Sequence, residues 1–199
     1  MFKLGIIGYS GKVLSFGIFG GGYTGAASNY TDKYTYATDT VVAGTVLGLA
    51  RYGLAAAGNS TVGIFGGGYT GAASKYTDKY TYATDIVAAG TVLGVARYEL
   101  AAAGNSTISI FGGGYNSNYT DKYTYATDTV VAGTVLGLAR YELAAAGNST
   151  VGIFGGGYTG AYSTYTDKYT YATDTVVAGT VLGLARYLLA AASSNPGWA

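Results

Sequence analysis

The string Phe-Gly-Gly-Gly-Tyr occurs four times, beginning at Phe19, Phe65, Phe111 and Phe154, at spacings of 46, 46 and 43 residues. The residues between these cores recur almost unchanged, so whatever one unit folds into, the others must fold into as well. A fixed period in this range, punctuated by glycine and aromatic residues, points to a propeller or a solenoid. In a chain of 199 residues the repeat argues for one domain rather than two. Its units run over about 17–62, 63–108, 109–151 and 152–192, with a worn segment 1–16 before them and a tail 193–199 after them. In the worn segment Gly5-Ile6-Ile7 stands where Arg51-Tyr52-Gly53 would fall, so the Arg is missing.

Within a unit, Arg51 to Ala57 and Ser60 to Gly66 are short apolar runs separated by Gly58-Asn59. That is a hairpin signal, since Gly and Asn both tolerate positive φ. The three glycines Gly66, Gly67 and Gly68 allow a tight exit that a Cβ would resist. Next, Tyr76 to Tyr82 alternates, with Tyr76, Asp78, Tyr80 and Tyr82 on one face and Thr77, Lys79 and Thr81 on the other. Ala83-Thr84-Asp85 reads as a turn and Ile86 to Leu93 as a fourth strand. Four strands in one period is the content of a propeller blade. One stretch disagrees: Val92 to Ala103, followed by Gly104-Asn105, has the propensity of a helix with a C-terminal glycine, which keeps an αβ solenoid open.

Composition excludes several function classes. Without His or Cys the chain lacks the usual general base and the commonest transition-metal ligands, so ordinary zinc and triad chemistries are ruled out. A net charge of +1 with 11% charged residues supplies no field for nucleic acid. Hydrophobic residues make up 49%, but every run is interrupted before it reaches the length of a membrane helix. Met1 to Tyr9 lacks the apolar region and cleavage site of a signal peptide, so export would need another route or assembly into a particle. An extracellular or particle-associated setting is expected ahead of a cytoplasmic one.

The order of features resembles the kelch repeat. An Arg (Arg51) leads an apolar strand, a turn follows, and a second apolar strand ends in a double Gly at Gly66-Gly67. A Tyr-bearing strand (Tyr80-Thr81-Tyr82), a turn and an outer strand from Asp85 complete the unit. The match covers residues 17 to about 192. Kelch units usually carry a Trp downstream of the Tyr, where this chain has Val; its single Trp is Trp198, in the tail. The resemblance implies four-stranded antiparallel blades with the Arg-led strand innermost, which decides the helix ambiguity in favour of strand. It implies an all-β, four-bladed propeller, closed by pairing the C-terminal strand Arg186–Ala192 beside the N-terminal strand near Leu14 to Gly21. The same geometry lets that last strand complete a neighbouring molecule's blade instead.

Several residue sets are candidates for a site. In kelch proteins the Arg lies at the mouth of the channel, so Arg51, Arg97, Arg140 and Arg186 would form a ring able to hold a carboxylate or phosphate. Against this, each Arg has Asp residues of its own or the next unit to pair with. The Asp pairs Asp32/Asp39, Asp78/Asp85, Asp121/Asp128 and Asp167/Asp174 suit turns and ion pairs better than calcium or acid/base work, because an odd spacing puts them on opposite strand faces. Five Asn-x-Ser/Thr sequons begin at Asn29, Asn59, Asn105, Asn118 and Asn148, three of them in the hairpin turns. The 22 tyrosines are expected to pack between blades, with Tyr115 and Tyr162 as stacking positions if a sugar is bound. The units differ from one another in the loop after the glycines and at Gly53, Glu99, Glu142 and Leu188, which makes Glu99 and Glu142 candidates for a contact surface.

These readings converge on a non-enzymatic structural or interaction protein, needing no metal or cofactor. Its expected partners are copies of itself, as an oligomer, filament or particle component, or another protein. Neither nucleic acid nor membrane insertion is expected. The alternative is a lectin-like propeller that binds carbohydrate.

Overall fold

The computed structural model describes residues 16–193. The worn segment up to residue 15 and the tail from 194, with Trp198, lie outside the described residues. All regular structure among the described residues is β, in fifteen strands. The first sheet holds β1 (Phe16–Gly20), β2 (Thr31–Thr35) and β3 (Thr40–Ala43). The second holds β4 (Tyr52–Gly58), β5 (Val62–Tyr69), β6 (Thr77–Thr81) and β7 (Ile86–Ala89). The third is β8 (Ala101–Gly104), β9 (Ile108–Gly112), β10 (Thr120–Thr124) and β11 (Thr129–Gly133). The fourth is β12 (Ala144–Gly147), β13 (Val151–Gly155), β14 (Thr166–Thr170) and β15 (Thr175–Ala178). Strands follow one another in sequence order and every pairing is antiparallel, so each repeat is one meander.

Local chemistry explains the meander. Alternation on β6 buries Asp78 and Tyr80, as β10 buries Asp121 and Tyr123 and β14 buries Asp167 and Tyr169. The turn after each of these strands, and after β2, places Asp85, Asp128, Asp174 and Asp39 at φ 52 to 56°, a left-handed conformation that Asp tolerates and β-branched residues do not. The hairpin between β4 and β5 is an Asx turn: Asn59 Oδ1 accepts from the Thr61 and Val62 amides, and Asn105 and Asn148 act alike. The preceding glycine is there for space, not for positive φ. A Cβ on Gly58 would lie 2.3 Å from the Val62 carbonyl oxygen.

The helix suggested by Val92 to Ala103 does not form; residues 92–100 are irregular and only Ala101–Gly104 is strand. Tertiary contact overrides propensity here, because Arg97 is bound on both sides: its amide donates to Ser74 O and its carbonyl accepts from Gly68 N.

The C-terminal segment begins like a fifth unit. Arg186 N donates to Ser163 O, Gly157 N donates to Arg186 O, and Leu189 packs on Gly156 as Leu54 packs on Gly21. Beyond that, the expected strand Arg186–Ala192 is not formed and makes no ladder with β1 among the described residues. No Phe-bearing strand lies beside this segment among the described residues to hold it in a ladder. In each complete unit the Ala-Ala-Ala strand pairs with the next Phe-bearing strand, as Ala56 pairs with Phe65 and Ala102 with Phe111.

Candidate functional site

The chemistry is concentrated where one unit meets the next, and three such junctions are built alike. Each Arg has its backbone in one unit and its side chain in the following one. The Arg97 Nη1 donates to the Gly113 and Tyr119 carbonyls at 2.8 and 2.7 Å, while Nη2 is hydrogen-bonded to Asp121. Arg51 with Asp78 and Arg140 with Asp167 repeat the arrangement. The other oxygen of the same carboxylate accepts from the amides of Gly48, Gly94 and Gly137 at 2.9–3.0 Å. Burial lowers the pKa of each guanidinium and the neighbouring Asp opposes that shift.

A ring-on-glycine contact lies beside each ion pair. Phe65 lies on Gly20, Phe111 on Gly66 and Phe154 on Gly112, so closely that a Cβ at those glycines would be 3.0, 2.7 and 2.8 Å from the ring. The three rings are 4%, 0% and 0% exposed. A third set of contacts runs along the outer side. Lys33, Lys79 and Lys122 approach Asp85, Asp128 and Asp174 of the following unit at 3.5, 3.9 and 3.5 Å. Beside them the Thr45, Thr91 and Thr134 hydroxyls donate to the carbonyls of those same Asp residues at 2.5 Å.

The expected Arg ring is therefore corrected. Arg51, Arg97 and Arg140 are at most 2% exposed and committed to Asp and backbone oxygens, so they do not face a ligand. Arg186 is exposed and joins no ion pair among the described residues. Glu99 and Glu142 do come together. With Gly53 and Leu188 they occupy positive φ and are linked by successive backbone bonds: Glu99 N to Gly53 O, Glu142 N to Glu99 O, and Leu188 N to Glu142 O. The four line one groove of about 280 Å³, where burial and then the charge of Glu142 raise the pKa of Glu99.

Tyr115 and Tyr162 lie in a feature that residue-by-residue reading missed. The rings of Tyr23, Tyr52, Tyr69, Tyr98, Tyr115, Tyr141, Tyr158 and Tyr187 form an unbroken row with neighbouring centroids 5.1–5.9 Å apart. Tyr115 stacks on Tyr98, and Tyr162 stacks on Tyr187 at 4.9 Å and 9°. The signal was present in the sequence as the constant Tyr after each Arg and after each glycine triplet. Instead of packing between sheets, as Tyr80, Tyr123 and Tyr169 do, these rings pack on one another. No protein-family model matches the chain, and no curated protein is significantly similar to it.

Proposed function

We propose that this chain is a non-catalytic interaction module, a kelch-like four-bladed propeller in plan, whose work is to assemble with copies of itself into an oligomer, filament or particle component. The observation that carries the reading is the contrast between Phe19 and its three equivalents. Phe19 is 65% exposed, whereas Phe65, Phe111 and Phe154 are at most 4% exposed. The chain thus presents uncovered an aromatic residue of the kind it buries at every internal junction. The propeller plan rests on four meanders in register with the repeat, and on the kelch-like order of Arg, double Gly and Tyr. The small net charge of +1 adds little repulsion between copies. Light scattering with negative-stain imaging tests the reading: assemblies well above 20.2 kDa support it, and a monomer at every concentration refutes it.

A carbohydrate-binding role is the second reading. It is favoured by the exposed faces of Tyr115 and Tyr162, 48% and 59% accessible, with Asn116 beside a groove lined by Tyr115, Tyr141 and Tyr158. Glycan-array binding that is lost in Tyr115→Ala and Tyr162→Ala would establish it, and a blank array would remove it.

A further inference from the structure

Resting on the self-assembly reading, we infer that the contact between copies is a fourth copy of the internal junction, head to tail, with the first unit of one molecule seated on the last unit of another. Every component of the junction that is satisfied three times inside the chain has its two remaining halves at opposite ends: Phe19, Asp32, Arg186 and Lys168 are exposed, and Gly155 is buried beside Leu182 rather than under a ring. Phe19 is the ring that seats on no preceding unit's glycine among the described residues. Gly155, which aligns with Gly20, Gly66 and Gly112, is the glycine without a ring: the nearest atoms to a Cβ there are Thr166 Cγ2 at 3.5 Å and Leu182 Cδ1 at 3.8 Å.

The charges divide in the same way. Asp32 pairs with Phe19 across β1 and β2, as Asp78 pairs with Phe65, yet Asp32 is exposed where Asp78 is buried. The groups that would complete it are Arg186, exposed at the other end, and the Gly183 amide. A Cβ on Gly183 meets nothing within 4 Å, whereas Gly48, Gly94 and Gly137 each have an Asp oxygen there at 2.9–3.0 Å. On the outer side Asp39 lacks a lysine and the exposed Lys168 lacks an aspartate among the described residues. Among the described residues the two halves are left unmatched at once, and a second copy carries the matching set in the matching register. Such a contact joins two different surfaces, so it propagates into a ring or an open filament.

The test uses the full chain and three variants. Gly155→Ala leaves room for the methyl within its own chain but places it where the Phe19 ring of a second copy must lie. Phe19→Ala removes an exposed ring. Arg186→Glu reverses one charge, and Asp32→Arg added to it restores the pair between copies. Each variant is first confirmed folded by circular dichroism and thermal melting, and association is then measured by sedimentation. Each single variant should weaken association at least about tenfold. The Arg186→Glu/Asp32→Arg double variant should recover it. Phe19→Ala mixed with Gly155→Ala should give 1:1 pairs, because the intact tail of the first meets the intact head of the second. Assembly that persists unchanged in Gly155→Ala and Phe19→Ala overturns this interface and leaves the self-assembly reading standing. A wild-type chain that never associates overturns both.

Discussion

Arg97 leaves the chain in one unit and delivers its guanidinium to Asp121 in the next, where both side chains are buried. This contact makes the repeat cooperative, because neither unit satisfies its own charge. Taking one partner away strands the other in a dry site.

Asp121→Asn should therefore destabilise the fold by about 3–5 kcal/mol in urea or thermal unfolding. Asp32→Asn, at the equivalent but exposed position, should change the stability of the dilute monomer by no more than about 0.5 kcal/mol. Equal effects would mean that the junction pair contributes nothing.

The same asymmetry applies to the aromatic residues. Phe111→Ala removes a fully buried ring and should cost about 3–5 kcal/mol, whereas Phe19→Ala should be close to neutral in the monomer, as read by denaturation midpoints.

Gly66→Ala places a methyl 2.7 Å from the Phe111 ring and should cost about 1–3 kcal/mol through overpacking. Gly155→Ala, with only ordinary contacts at 3.5 Å or more, should melt like the wild type at low concentration.

Alkaline pH should unfold the chain in a defined window. Burial, and then the charge of Tyr36, pushes the Tyr82 phenol from 10.0 up to about 12, and burial also raises Tyr125 and Tyr171. The folded value lies above the unfolded one, so the stabilisation is complete below pH 10 and is lost as pH rises toward about 12. Tyrosinate absorbance should rise in two stages, exposed rings first and the buried set only with loss of circular dichroism. Tyr82→Phe should shift the second stage to higher pH.

Glu99 provides the same kind of test at acid pH. Its carboxyl is held above the ordinary 4.5 by burial and then by Glu142, so its contribution to stability is present at acid pH and lost as pH rises through the folded value. Glu99→Gln should therefore melt at a modestly higher temperature than wild type at pH 7, and the difference should vanish below pH 4.5.

Much of the single unit was legible in the sequence. The Tyr-Thr alternation gave the strand Thr77–Thr81 and set Asp78 and Tyr80 on one face, though Thr77 of the other face is buried as well and Tyr76 is exposed; Gly58-Asn59 gave the hairpin and Asp85 the turn. The junction was only half legible. An Arg and an Asp in every unit suggested an ion pair, but a periodic sequence does not say which unit's Asp each Arg takes. Gly66 read as part of a tight exit, yet it serves as a flat seat for Phe111, and no local pattern distinguishes the two roles. The tyrosine row was hidden because its members lie far apart in the sequence and meet partly across strands, as Tyr52 and Tyr69 do, and partly where sheets adjoin, as Tyr69 and Tyr98 do.

The sequence by itself determined the meander, the period and the set of groups every unit brings to its neighbours, because these depend on alternation, turn chemistry and backbone sterics within a few residues. The tertiary structure alone decided which copies of those groups are satisfied. Phe19 and Phe111 are the same residue in the same motif, and so are Arg186 and Arg97, but burial and pairing belong to the neighbour as much as to the residue. The inner units have a neighbour on each side, and among the described residues the first and last units each lack one.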